Sequence, residues 1–305
     1  MLEDKLNHNH ALKESFYHAL LIQQHKISIG SDKAERDLRL ILSRHDNLES
    51  YYQSLNLPSI KELSQPFRKL IRTYERLEMN LGLLSITSKS YPLELKDVDI
   101  ATPLLYYRGN QELLNSKVMA VIGTRRLEDP QDISDGKKIV ERLVNANYTI
   151  LSGLALGCDT LAHKTAIDFN GKTIAVLGTP LDKIYPPENA DYQDFMGREH
   201  LLVSQYPIGI TTYPSHFAHR DKTQVHLSEG VVVIRADDKS GAQHAIKEAA
   251  KRNKPIYALK NNYGKGYSWL HTYQDNIKVP GEKSGENICS KKNEQCQKRQ
   301  GDHQS

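Results

Sequence analysis

Three times between Val118 and Gly178, an apolar run suited to a β-strand stops in a loop of glycine and small polar residues. Val118-Met119-Ala120-Val121-Ile122 runs into Gly123-Thr124-Arg125-Arg126, Tyr148-Thr149-Ile150-Leu151 into Ser152-Gly153-Leu154-Ala155-Leu156-Gly157, and Thr173-Ile174-Ala175-Val176-Leu177 into Gly178-Thr179. Short runs rich in Val and Ile, without polar alternation, predict strands buried on both faces. The helix-patterned stretches after the first two runs predict the crossovers of a parallel sheet. Ligands of such sheets sit outside the carboxyl ends of the strands. There a glycine lets backbone N–H groups approach an anion, and the next helix N-terminus adds positive potential. Two arginines in the first loop turn that expectation toward a polyanion; the plainer alternative is a solvated surface turn.

The alternation continues through Leu201-Leu202-Val203-Ser204-Gln205, Gly230-Val231-Val232-Val233-Ile234 and Pro255-Ile256-Tyr257-Ala258-Leu259. Amphipathic stretches lie at Ile133 to Val144 and Ala242 to Lys251. The fold class this predicts is α/β, a doubly wound, mostly parallel sheet. Upstream, Leu12, Phe16, Ala19 and Leu20, then Leu38, Ile41 and Leu42, then Leu63, Phe67, Leu70, Ile71, Tyr74 and Leu77 recur at helical spacing. The expected organisation is a small N-terminal helical module over 1–80, the sheet domain over 81–262, and a polar tail over 263–305 that is largely disordered. Too little apolar surface is available in that tail to offset the entropy of ordering it.

Composition narrows the function classes. The formal charge of the 305 residues is +4, which permits a nucleic-acid partner without requiring one. Cys158, Cys289 and Cys296 are too few for a disulfide framework, and no zinc-ligand spacing accompanies them. The sequence offers neither a signal-peptide pattern nor a run of membrane-spanning length, so a cytoplasmic protein without a membrane partner is expected.

Both common nucleotide fingerprints, G-x-G-x-x-G and the GK[ST] ending of a P-loop, are absent. Asp159 is a plausible N-cap for the helix carrying His163, and His163 beside Lys164 is read as a helix-surface or structural histidine before a catalytic base. Ser215-His216-Phe217-Ala218-His219-Arg220-Asp221-Lys222 reads as a loop in which an aromatic ring sits among potentially cationic side chains, the physical recipe for single-stranded nucleic acid; the alternative is a phenylalanine anchoring the loop to the core. Asp237-Asp238-Lys239-Ser240-Gly241 opens another helix N-terminus. The residues show no catalytic constellation and call for no cofactor or metal.

In series these motifs resemble the DNA-processing protein A family (DprA/Smf), whose core is an extended Rossmann-like domain. The resemblance rests on Tyr91-Pro92, Leu105-Tyr106-Tyr107-Arg108-Gly109-Asn110, Val121 to Arg125, Ser152 to His163, Gly171-Lys172-Thr173 to Gly178, and Leu181-Asp182-Lys183-Ile184-Tyr185-Pro186, in that order over roughly residues 81 to 260. It implies a non-enzymatic, homodimeric protein that binds single-stranded DNA, protects it, and helps load RecA recombinase in natural transformation and recombination. It also implies DNA contacts at Gly123, Thr124, Arg125, Lys172, Phe217 and Arg220, with backbone support from Ser152, Gly153 and Gly241. Lys222 joins them as a cation near Phe217.

The chain departs from the family where "RNR" reads Arg220-Asp221-Lys222: lysine loses the guanidinium fork, and Asp221 places a negative charge near the expected phosphate path. The polar tail matches no winged-helix module of the kind often found at the family's C-terminus. Two alternatives remain: a nucleotide hydrolase like the lysine-decarboxylase-like (LOG) proteins, whose PGGxGTxxE glutamate has no match at Asp238 to His244, and a nucleotide-sensing module.

Overall fold

The computed structural model describes residues 2–96 and 102–278; the tail expected to be disordered lies, from residue 279 on, outside the described residues. The chain begins with α1 (Leu2–Asn7), α2 (His10–Gln23), α3 (Asp32–Leu42), α4 (Leu48–Ser54) and α5 (Arg68–Arg76). Three of these start on side-chain caps. Asn9 accepts from the Leu12 N–H at 2.9 Å, Ser31 from the Ala34 N–H at 3.2 Å, and Asn47 and Ser50 form a capping box. Each such cap satisfies an otherwise orphaned donor and contributes about 1 kcal/mol.

The sheet region follows as β1 (Gly82–Ser85), α6 (Leu93–Lys96), β2 (Leu104–Gly109), β3 (Val118–Ile122), α7 (Pro130–Asn145), β4 (Thr149–Ser152), α8 (Cys158–Asp168), β5 (Thr173–Leu177), α9 (Ala190–Glu199), β6 (Leu201–Ser204), α10 (Pro214–Leu227), β7 (Val231–Val233), α11 (Gln243–Lys251), β8 (Ile256–Ala258), α12 (Ser268–Thr272) and β9 (Ile277–Lys278). The strand order is β1-β2-β6-β5-β4-β3-β7-β8-β9. Only the β1–β2 and β2–β6 pairs are antiparallel. The chain winds outward from β3 through β4, β5 and β6, then crosses back to lay β7 on the other side of β3. The topological switch point therefore lies between β3 and β7, where an open α/β sheet leaves a crevice at its strand ends.

Side chains alternate across the sheet as its pleat requires. Met119 and Val121 pack with Ile139, Val140 and Ala162 of α7 and α8, whereas Val118, Ala120 and Ile122 pack with Val225 of α10 and with Ala245 and Ile246 of α11. The N-terminal helices share a core with the sheet: Phe16, Leu20 and Tyr74 cluster with Leu177, Leu202 and Tyr206. Polar struts cross the same seam. The Tyr74 hydroxyl meets Ser15 at 2.7 Å and donates to the Ile208 carbonyl at 3.0 Å, while His18 meets the Tyr106 hydroxyl at 2.9 Å.

Two sequence-based expectations need correction. Residues 263–278 are part of the fold. Trp269 is buried and donates its indole N–H to the Ala236 carbonyl at 2.9 Å, the Asp238 carboxylate receives both the N–H and the hydroxyl of Ser268, and β9 pairs with β8. Polar composition hid this, because one tryptophan with Leu270, Tyr273 and Ile277 supplies the apolar contact. The stretch 215–222 is the first half of helix α10, opened by Pro214 in its first turn, a position where proline fits without losing a hydrogen bond.

Candidate functional site

The three glycine loops converge at the carboxyl ends of β3, β4 and β5, and their glycines are there because the loops interlock. A Cβ on Gly123 would meet the Cys158 Sγ at 2.4 Å and the Arg235 carbonyl oxygen at 2.7 Å. A Cβ on Gly157 would meet the Thr124 carbonyl oxygen at 2.3 Å, and its φ of 76° is itself costly for any other residue. The Thr124 N–H donates to the Arg235 carbonyl at 2.7 Å, the Cys158 N–H donates to the Thr124 carbonyl at 3.1 Å, and the Arg126 N–H donates to the Thr124 hydroxyl at 3.1 Å. These amides hold the loop rather than an anion. What the loop presents to solvent is the Arg125 and Arg126 side chains, with the Thr124 hydroxyl hydrogen still available to donate.

Beside this loop stands an aromatic pair. Phe217, in the first turn of α10, lies against Gly178, where a Cβ would come within 2.5 Å of the ring. The Arg125 guanidinium sits over the Phe217 ring, 5.8 Å from its centroid. Tyr185 approaches the same ring at 5.0 Å between centroids, with the two rings tilted by 49°. Phe217 is half-buried and Tyr185 is 43% exposed, so one ring braces the other while an aromatic surface stays open to solvent.

Beneath that surface Arg220 is a buried strut. Its Nη1 donates to the Gly153 carbonyl at 2.6 Å and to the Val176 carbonyl at 2.5 Å, and its Nε lies 3.0 Å from the Asp221 carboxylate. Gly153 leaves the room it needs: a Cβ there would overlap the guanidinium. Burial pushes the Asp221 carboxyl up to about 6 against the pull of Arg220, and burial likewise raises that of Asp159, which flanks the same guanidinium. Asp159 is not the helix cap; Gly157 holds that position, and the Asp159 carboxylate accepts from the Ala155 N–H at 3.2 Å. Ser152 is buried and donates to the Val121 carbonyl at 2.6 Å.

Of the residues expected to touch a ligand, Gly123, Thr124, Arg125 and Phe217 thus form one surface, and exposed Gly241 lines the same depression with Gly123, Arg125 and Asp221. Ser152, Gly153 and Arg220 support it from beneath. Two others lie elsewhere. Lys172 immediately precedes β5, at the amino end of the strand, so five residues of strand separate it from the loops by about 16 Å. Lys222 turns toward the N-terminal helices and pairs with Asp32 at 2.6 Å. Tyr185 belongs to the surface although the sequence did not single it out, and Arg126 stands exposed next to Arg125 in the loop after β3. The signal for Tyr185 was an aromatic in the loop after β5.

Candidate chemical groups nearby are inert. His163 is fully buried, meets the Thr173 hydroxyl at 2.6 Å, and is pushed down to about 3 by burial, so it stays neutral. Burial pushes the Cys158 thiol up to about 12. Among the described residues no group of three or more His, Cys, Asp or Glu side chains could hold a metal ion, and no helix is long and apolar enough to cross a membrane.

The chain matches the family model described as DNA recombination-mediator protein A over residues 82–276. It is 36% identical over 197 residues to the DNA processing protein DprA of Streptococcus pneumoniae, covering 64% of this chain and 69% of that protein. It is 36% identical over 194 residues to the protein Smf of Synechocystis sp., covering 62% of this chain and spanning about half of that relative, 48%. Among solved structures, DprA from S. pneumoniae superposes with a TM-score of 0.65 at 28% identity, covering 83% of this chain and 92% of that one. DNA processing protein A from Helicobacter pylori, a structure described for its single-stranded DNA binding mode, superposes with a TM-score of 0.59 at 25% identity, covering 69% and 94%.

Proposed function

Since the chain belongs to the DNA recombination-mediator protein A family, we propose that it binds single-stranded DNA across the carboxyl ends of β3, β4 and β5, without making or breaking a bond. The observation that carries this reading is the guanidinium of Arg125 held over the Phe217 ring, with the Tyr185 ring tilted beside it at 5.0 Å between centroids. A cation beside an exposed aromatic surface suits a strand: the phosphate takes the cation and the base takes the ring, whatever its sequence. The single-stranded DNA binding mode described for the H. pylori protein supports the same choice of ligand.

In this reading Arg125 and Arg126 neutralise phosphates, the Thr124 hydroxyl donates to one of them, and Phe217 and Tyr185 stack on bases. The hydrolase alternative needs a carboxylate free to act at this site; the two acids nearby, Asp159 and Asp221, both face the Arg220 guanidinium. The family further suggests a cytoplasmic homodimer that protects exposed or incoming strands and passes them to a RecA-type recombinase in recombination and DNA uptake. Light scattering of the purified chain, and RecA filament assembly on strands pre-bound by it, test those two points.

The direct test is a salt titration of binding to single-stranded oligonucleotides. Each phosphate neutralised adds about 0.7 to the slope of log K against log salt. Arg125→Ala should flatten that slope by about one contact. An unchanged affinity and slope in Arg125→Ala would remove the site.

A further inference from the structure

The nine residues of α5, Arg68-Lys69-Leu70-Ile71-Arg72-Thr73-Tyr74-Glu75-Arg76, carry four cations and one acid, a net charge of +3 against +4 for the whole chain. Leu70, Ile71 and Tyr74 face the core, while Arg68, Lys69, Arg72 and Arg76 are exposed and line one shallow depression with Gln65 and Thr73. None of the four forms an ion pair among the described residues, although Lys13, Lys33 and Lys61 of the neighbouring helices do.

Folding does not explain this arrangement. Arg68 and Lys69 occupy the first turn, where the helix dipole is positive and acids are the stabilising choice. Arg68, Arg72 and Arg76 stand four residues apart along one stripe, the spacing at which like charges repel. A stretch that departs from local charge rules with no compensating contact is the signature of a surface kept for a ligand.

The stripe is also rigidly coupled to the strand-end site. Leu70 lies against Gly209, and Tyr74 donates to the Ile208 carbonyl, both in the loop that runs from β6 into α10. Gly209 stands eight residues before Phe217, and that chain, part extended and part helical, spans at most about 22 Å. The exposed face of α5 lies about 10 Å further, across the helix from Leu70, and roughly nine or ten stacked nucleotides at roughly 3.4 Å each cover the whole path.

We infer that the exposed face of α5 is a second phosphate-binding surface, which holds the backbone of the same single DNA strand as it leaves the Arg125–Phe217 site. The inference rests on the strand-end reading above. It assigns the N-terminal helices, which lie outside the matched family segment, a role in lengthening the bound strand.

Anisotropy titrations with thymidine oligonucleotides of about six and about thirty residues, over a range of salt, test it against the full chain, Arg125→Ala, and the double variants Arg68→Glu/Lys69→Glu and Arg72→Glu/Arg76→Glu. The native chain should show a slope on the long strand steeper by about two to three than on the short one, at about 0.7 per added contact. Each double variant should lose one to two of that difference and bind the long strand about tenfold or more weakly at 0.1 M salt, with short-strand binding unchanged. Arg68→Glu/Lys69→Glu places acids at the positive end of the helix dipole, so its thermal midpoint should hold or rise, which excludes unfolding as the cause. Long-strand slopes equal to the native slope in both double variants overturn the inference, as does a loss seen with duplex but not with single strands. An unaffected Arg125→Ala together with lost α5 slopes retires the strand-end site and keeps the α5 contact.

Discussion

Asp221→Asn removes a charge whose effect on both stability and binding can be worked from the structure. The carboxyl is held near 6, above its ordinary 3.8, because burial and the neighbouring Asp159 outweigh the attraction of Arg220. An acid whose folded value lies above its unfolded one holds its proton more tightly when folded. Stability is then greatest at low pH, falls as pH rises from about 4 to about 6, and is flat above. Above that window the ionised side chain costs about 3 kcal/mol relative to the protonated one, at 1.36 kcal/mol for each pH unit of separation. Asparagine mimics the protonated form and leaves Arg220 its two carbonyls and Asp159. The variant should therefore be about 1–3 kcal/mol more stable than the native chain at pH 7.5, with the gain shrinking toward zero near pH 4. It should also bind strands more tightly: removing one negative charge roughly 7 Å from a phosphate, at an effective dielectric of about 40–80, is worth about 0.6–1.2 kcal/mol, or about three- to eightfold in affinity. The native chain should approach the variant as pH falls through 6. His216 and His219, held near 4 by burial, stay neutral in that range and do not imitate the effect. Urea denaturation at both pH values, with anisotropy binding from pH 5 to 8, reads the two effects. A variant less stable at pH 7.5, or a native binding curve flat across pH 6, would refute the reasoning.

Other substitutions separate the parts of the site. Phe217→Ala and Tyr185→Ala should each weaken strand binding by about 1–3 kcal/mol with little change of salt slope, since stacking rather than charge is lost, and Tyr185→Phe should bind as the native chain does. Arg220→Met should lower stability by about 3–5 kcal/mol in denaturant melts, because it leaves two acids and two carbonyls without their partner; a stable protein with only weaker DNA binding would instead make Arg220 a direct contact. Lys172→Ala should leave the slope for short strands unaltered, and a fall of about one contact would return it to the site. Trp269→Ala should cost about 3–5 kcal/mol, checked by the same melts, if residues 263–278 complete the sheet region.

Strands were the legible part of the sequence, because a buried parallel strand is recorded directly in its unbroken Val and Ile. Positions relative to the sheet were partly legible. Lys172 precedes its strand, and a parallel strand carries whatever precedes it to the end opposite its following loop, so that placement was available from order alone. Arg220 was not available in the same way. On α10 its neighbours His219 and Lys222 point to the N-terminal helices, where His219 lies 3.6 Å from the Glu35 carboxylate and Lys222 meets Asp32, while Arg220 points under the loops. Which of several close cations turns inward depends on how the helix is rotated against the sheet, and the mixed charges of residues 215–222 carry no clear apolar stripe to fix that rotation.

The glycines show how a strand-end glycine can answer to packing within the protein rather than to a ligand. Glycine at strand ends suggests backbone amides turned toward an anion, yet at Gly123, Gly153, Gly157 and Gly178 the space a Cβ would take is filled by the protein's own atoms: Cys158 and Arg235, Arg220, Thr124, and Phe217. Each glycine admits a group from another element, and two of those groups, Arg220 and Phe217, come from α10. The small residues therefore act at one remove. They let α10 sink against the strand ends, far enough that Phe217 lies beneath Arg125 and Arg220 ties the loop after β4 to the end of β5. An alanine at Gly178 or Gly153 should then damage binding through the position of α10, displacing the ring or the strut, even though neither glycine offers a group to the DNA.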